Sequence, residues 1–177
     1  DKAPEADRHF NLSVYFHRIG TPAVSDPLVL SAKDGLPRIA EIWLDNRGGG
    51  EAALALVQLG DGGQWQQFVL RRDRPALRVA AYEDRIVAAV IARDGTLYGL
   101  SRRGAPMGKI MELSAPYTGG FAAATTIVPE RKDTAVVDGG PLGTPLTIVG
   151  IRLFVSRIAG GPGTVDVHDL DGRYQSS

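Results

Sequence analysis

The chain has 177 residues with 20 Lys plus Arg against 20 Asp plus Glu, so it carries no net charge that would draw it to nucleic acid or anionic lipid. It contains no cysteine, which excludes disulfides, thiolate nucleophiles and cysteine-ligated zinc. Hydrophobic residues make up 44% of a length that fits about one domain, enough to build a core burying roughly 70% of the unfolded surface.

In chain order, the opening DKAPEADRHF has no signal-peptide pattern, and no apolar run approaches the roughly 20 residues that span a bilayer. SVYFHRI and PLVLS then read as a pair of strands. RIAEIWLDN, ALALVQL, WQQFVLRR and ALRVAAY form a group of four. EAALALVQLG is the best candidate for a helix, since Ala and Leu favour one, but it fits a buried strand equally. RIVAAVIA, TLYGLSRR, KIMELS and FAAATTIVP form a second group of four. AVVDGG with LTIVG, then RLFVSRI and TVDVHDL, make a last group of three. The 22 glycines and 11 prolines punctuate these runs as turns.

Comparable strands recur at intervals of about 45–55 residues, a spacing typical of propellers and other repeat arrays. VYFHRI would correspond to QQFVLRR, KIMELS and VDVHDL, each expected to alternate between a buried and an exposed face. RIVAAVIA, almost continuously apolar, suits the innermost strand of a blade. The expectation is an all-β partial propeller of about three to four four-stranded blades. Residues 1–36 would make half a blade, 37–83 and 84–131 one blade each, and 132–177 an incomplete blade without its outer strand. A β-sandwich is the competing architecture.

HFNLSVYFHRIGTPAVSDPLVL resembles the middle of the propeller domain of the prolyl oligopeptidase family of serine peptidases. The resemblance continues in order through LPRIAEIWLDN and DRIVAAVIARDGTLYGLSRRGAPMGKIMEL to LTIVGIRLFVSRIAGGPGTVDVHDLDGR. It implies the latter half of a seven-bladed propeller that caps an α/β-hydrolase domain and admits short peptides to it. The partners it implies are that catalytic domain and peptides cleaved after proline, with no cofactor, nucleic acid or membrane. The catalytic Ser, Asp and His would lie in the hydrolase domain. No G-x-S-x-G is present here, because GLSRR and ELSAP lack the second glycine of a nucleophile elbow. The resemblance also places the GDGGQW loop near bound peptide, which makes Asp61, Gln64 and Trp65 candidates for lining the interdomain cavity. The plainer reading of that loop is a glycine turn.

Other motifs read more simply. GGGEAA has a relaxed dinucleotide-loop pattern but is too short of helix and fits a hairpin turn. HDLDG resembles the start of a calcium loop, yet the distal Glu is missing. His9, His17 and His168 lack metal-ligand spacing, and His17 suits a capping hydrogen bond. SRRGAPMGK concentrates Arg102, Arg103 and Lys109 at a turn, either a site for a carboxylate or a solvated hairpin tip. Asp45, Asp61, Asp84 and Asp94 fall at strand ends, where a facing pair would suit glycosidase chemistry. An independent protein-binding propeller is the other alternative to the peptidase reading. A partial ring exposes apolar blade faces, so the isolated chain is expected to dimerise. The composition fits a cytoplasmic or a periplasmic protein equally.

Overall fold

A computed structural model describes residues 4–47, 49–63, 65–137 and 144–177. Every strand pair among them is antiparallel. The first sheet is a pair, β1 (Val14–Tyr15) with β2 (Leu28–Leu30). The second runs β3 (Ala40–Asp45), β4 (Ala52–Leu59), β5 (Trp65–Arg71) and β6 (Leu77–Ala80) in that order. The third runs β7 (Ile86–Ile91), β8 (Leu97–Ser101), β9 (Lys109–Leu113) and β10 (Thr125–Val128). In the fourth, β11 (Ala135–Val136) and β12 (Leu146–Val149) both pair with β13 (Arg152–Ile158), followed by β14 (Gly163–Asp169) and β15 (Tyr174–Ser176). Each four-row sheet is a meander of neighbouring strands, as short turn-punctuated sequences dictate.

Within EAALALVQLG, residues 52–59 form β4 rather than a helix, because the strand packs on both faces and pairs on both edges. Tertiary burial overrides the helix propensity of its Ala and Leu. The expected lack of an outer strand in the last group is corrected by β15. Tyr174 stands opposite His168 and Ser176 opposite Val167. RYQSS is polar and exposed, so backbone pairing alone makes it a strand.

Three apolar layers lie between the sheets. Leu30, Leu36, Ala55, Val57, Phe68 and Leu70 pack between the first and second. Leu54, Val69, Ile86, Ile91, Met111 and Phe121 pack between the second and third. Val90, Tyr98, Leu100, Ile110, Leu146 and Val155 pack between the third and fourth. Phe68 and Val69 are neighbours in sequence yet belong to different layers, because successive side chains in a strand point to opposite faces. This corrects the expected alternation in QQFVLRR: β5 is buried at six consecutive positions. A sheet covered on both sides reads as a continuous apolar run rather than an alternating one.

Polar tethers cross the layers. Gln67 on β5, fully buried, donates from Nε2 to the Ile86 carbonyl on β7 at 3.0 Å. The β8–β9 tip is not simply solvated. Arg102 donates to the Val136 carbonyl at 2.8 Å, and Val136 N–H returns a bond to the Met107 carbonyl at 2.8 Å. Arg103 pairs with Asp84 at 3.2 Å. Between β9 and β10 a short helical turn, Gly120–Ala123, sets Phe121 against Gly99, where an added Cβ would lie 2.5 Å from the ring. Only a residue without a side chain fits there.

The last sheet contains a buried ion pair. Arg157 on β13 donates from Nε to Asp166 Oδ2 on β14 at 2.6 Å, and Arg131 reaches the same oxygen at 3.4 Å. Arg157 is 1% exposed and Asp166 2%.

Candidate functional site

Trp43 and Asp45 stand on the face of β3 turned away from Ile42, which packs on the first layer. Trp43 lies opposite Leu56 of β4, and Trp65 begins β5. The indole rings meet with centroids 5.2 Å apart and planes tilted by 50°. Such tilted contacts between rings are favourable beyond the area they bury. Trp65 is 6% exposed, so its partner Trp43 presents the more open face of the pair.

Two residues beyond Trp43 the strand ends in Asp45-Asn46-Arg47. Asp45 accepts the Arg47 backbone N–H at 3.0 Å, which folds the chain into a turn. The same carboxylate receives Arg47 Nε on Oδ1 at 2.8 Å and Nη2 on Oδ2 at 2.9 Å. Burial alone would push the Asp45 carboxyl up, but the hydrogen bonds and charge of Arg47 hold it below its ordinary value. The guanidinium is correspondingly shifted up, chiefly by its hydrogen bond to Asp45. Asp45 is nearly buried, whereas the Arg47 side chain is 61% exposed.

These residues border two adjoining cavities between the second, third and fourth sheets. One of about 50 Å³ is lined by Trp43, Trp65, Leu56 and Val87, with Arg47 at its edge. The other, of about 480 Å³, opens between Asp45 and Arg47 on one side and Val90, Arg93, Thr147 and Ile148 on the other. The cleft is therefore walled by edge strands of three successive sheets, β3, β7 and β12. Gly50 packs tightly on the backbone of Arg93, where an added Cβ would lie 2.8 Å from the carbonyl oxygen.

Of the residues expected from sequence to line a cavity, Trp65 borders the smaller one. Asp61 is exposed in the β4–β5 turn, where Gly62 N–H bonds the Leu59 carbonyl. Gln64 lies outside the described residues, as does Gly48 of GGGEAA. Sequence reasoning missed Trp43 and Arg47. Their signal was WLDNR, an aromatic followed at the strand end by an acid–base pair two residues apart.

Elsewhere the polar groups serve structure. His17 Nδ1 lies 3.0 Å from the Asp26 carboxylate. His168 Nδ1 lies 2.9 Å from the Gly172 carbonyl, in the turn that HDLDG makes between β14 and β15. Asp84 accepts the Ala81 N–H and Arg103, and Asp94 accepts the Thr96 N–H. Among the described residues no group of three or more His, Asp or Glu could hold a metal ion. Two larger hollows, of about 690 and 660 Å³, flank the two-stranded sheet, bordered by Phe16, Arg72 and Arg74.

No family model matches the sequence, and no curated protein matches it. Solved structures do. A prolyl endopeptidase, studied for the role of inter-domain dynamics in catalysis and specificity, superposes with a TM-score of 0.75 at 18% identity. The match covers 99% of this chain and 25% of that one. Prolyl oligopeptidase B from Galerina marginata, bound to a 35mer hydrolysis and macrocyclization substrate, matches with a TM-score of 0.69 at 14% identity, over 98% of this chain and 24% of that one. Oligopeptidase B from Trypanosoma brucei with covalently bound antipain matches with a TM-score of 0.67 at 16% identity, over 93% and 22%. The chain thus spans about a quarter of the length of the structures it matches. Its stack of four-stranded antiparallel sheets is the fold of the β-propeller portion of the prolyl oligopeptidases.

Proposed function

We propose that the chain is the non-catalytic, substrate-gating propeller portion of a prolyl oligopeptidase-like serine endopeptidase that cleaves short peptides after proline. The observation that carries this reading is the likeness over 99% of the chain to one quarter of a prolyl endopeptidase. The partner in this reading is an α/β-hydrolase domain that supplies the Ser, His and Asp of acyl transfer. The propeller portion acts by exclusion. Stacked sheets joined by Gln67 and Arg102 make a stiff wall, and a stiff wall passes an extended peptide while it stops a folded domain.

In this reading Asp61, Gln64 and Trp65 face the cavity shared with the catalytic domain. The packing of Trp65 on Trp43 at a cleft supports its part. In a longer chain that includes the hydrolase domain, Asp61→Ala combined with Trp65→Phe is expected to raise KM for short proline peptides. The effect on kcat should be smaller, because a lining residue contributes binding common to ground and transition states. Steady-state kinetics checks this, and an unchanged KM would remove these residues from the gate. The isolated chain, in the same reading, associates with a second copy through its uncovered end faces.

A further inference from the structure

We infer that the cleft between β3, β7 and β12 is a subsite for the C-terminal carboxylate of a peptide, with Arg47 as the recognising group and the Trp43–Trp65 pair as the platform beside it. This subsite rests on the proposed peptide-facing role and adds to it a ligand chemistry and a specificity residue.

The Arg47 guanidinium carries five N–H donors in a planar fork with two edges. Asp45 takes the side edge, through Nε at 2.8 Å and Nη2 at 2.9 Å. That leaves the end edge, one N–H of Nη1 parallel to the second N–H of Nη2, which is the geometry that grips a carboxylate in bidentate fashion. The backbone bond from Arg47 N–H to Asp45 fixes the stem of the same side chain. Arg47 is thus held by three hydrogen bonds to one nearly buried acid, while most of its side chain remains open to solvent. An arginine required only to neutralise Asp45 would not need to border a cavity of about 480 Å³.

The surroundings set the ligand class. Val90 and Ile148 supply an apolar floor, and the smaller cavity carries this floor on to the indole pair. An apolar residue next to the terminal carboxylate would lie against that floor. Asp45, Arg47, Arg93 and Asp94 together are charge-balanced, and Asp94 is engaged by the Thr96 N–H. Selection therefore comes from the geometry of the fork rather than from a general positive field, which argues against a polyanion.

The two tryptophans of the chain are Trp43 and Trp65. Intrinsic tryptophan emission therefore reports on this cleft alone. The probe is acetyl-Ala-Ala-Pro-Leu with a free C-terminus, titrated into residues 1–177, against the same peptide amidated. A third arm is an amidated peptide ending in Glu, which offers a carboxylate from a side chain instead. The free acid is expected to change the emission and to bind about tenfold more tightly than the amide, the size of one charge-assisted contact. The Glu-amide should resemble the amide. Arg47→Met, which keeps the stem and removes the fork, should abolish the preference while circular dichroism keeps the strand signature of the parent, with a lower Tm because nearly buried Asp45 loses its partner. Equal affinity for acid and amide, or a preference that survives Arg47→Met, would overturn the assignment. A Glu-amide that matches the free acid would overturn its restriction to the terminal carboxylate. If the cleft ignores the carboxylate while a longer chain still hydrolyses proline peptides, the subsite falls and the gating role stands. Selective binding of the free acid with no hydrolysis by the longer chain would keep the subsite and remove the gating role.

Discussion

Replacing Asp166 by alanine is expected to lower the stability of the chain by about 3–5 kcal/mol, the usual cost of stranding one member of a buried ion pair. Asp166 serves two guanidinium groups, at 2.6 Å from Arg157 and 3.4 Å from Arg131. Arg131 is well exposed and can turn to water or keep its bond to Asp133 at 2.9 Å. Arg157 cannot, because it is fully buried on the face of β13 that carries Leu153 and Val155. Its Nη1 and Nη2 find no acceptor among the described residues, so Asp166 is its main compensation. The double replacement Arg157→Met with Asp166→Leu removes both charges and should cost less than Asp166→Ala alone. Urea unfolding of Arg157→Met, Asp166→Leu and the double variant makes the cycle, with Asp166→Ala measured beside them. A loss under about 1 kcal/mol for Asp166→Ala would show that the pair is not the anchor described.

The second large effect is expected in self-association. Among the described residues the third sheet has both faces covered, whereas the fourth has a neighbour on one side only. Its outer face carries Phe154, Val167, Ile158 at 43% exposure and Val165 at 46%. At the other end, Leu44 is 56% exposed on the face of the second sheet that the short first sheet only partly covers. Within the chain, second on third and third on fourth each bury an apolar layer of this kind. A second copy can continue that series by setting its first-sheet end, where Leu28 and Leu44 are exposed, on the fourth sheet of the first, a heterologous contact between unlike faces. Val165→Glu places a charge in the middle of the apolar face, where its burial would go uncompensated. The variant should weaken association by more than about tenfold. Sedimentation velocity across a concentration series reads this directly. A parent chain that stays monomeric throughout would refute the association.

The strands could be read from sequence where their runs of Val, Ile and Leu are bounded by glycine and proline, as RIAEIWLDN and RIVAAVIA are. What the sequence hid has a common cause: it depends on partners far along the chain. The continuous burial of β5 needs two covering sheets, which its own residues do not announce. β15 is polar and exists only because β14 offers it an open edge. Arg102 looked like part of a solvated tip, yet its acceptor is 34 residues away at Val136. Arg157 and Asp166 are lost in apolar alternation until β13 and β14 are paired. At the cleft, Trp65 could be found from its loop. Trp43 left only the WLDNR pattern, because β4 separates their two strands and only the fold brings the rings together.

A propeller portion that gates a peptidase without doing its chemistry must be inert by itself. Hydrolysis of a fluorogenic peptide with proline before the scissile bond is the decisive assay. It compares residues 1–177 alone with the longest product of the reading frame that encodes them. No turnover is expected from residues 1–177, and turnover is expected from a longer product that carries a hydrolase domain. Turnover by residues 1–177 alone would overturn the gating role, and turnover by neither would replace the gate with a protein-binding propeller.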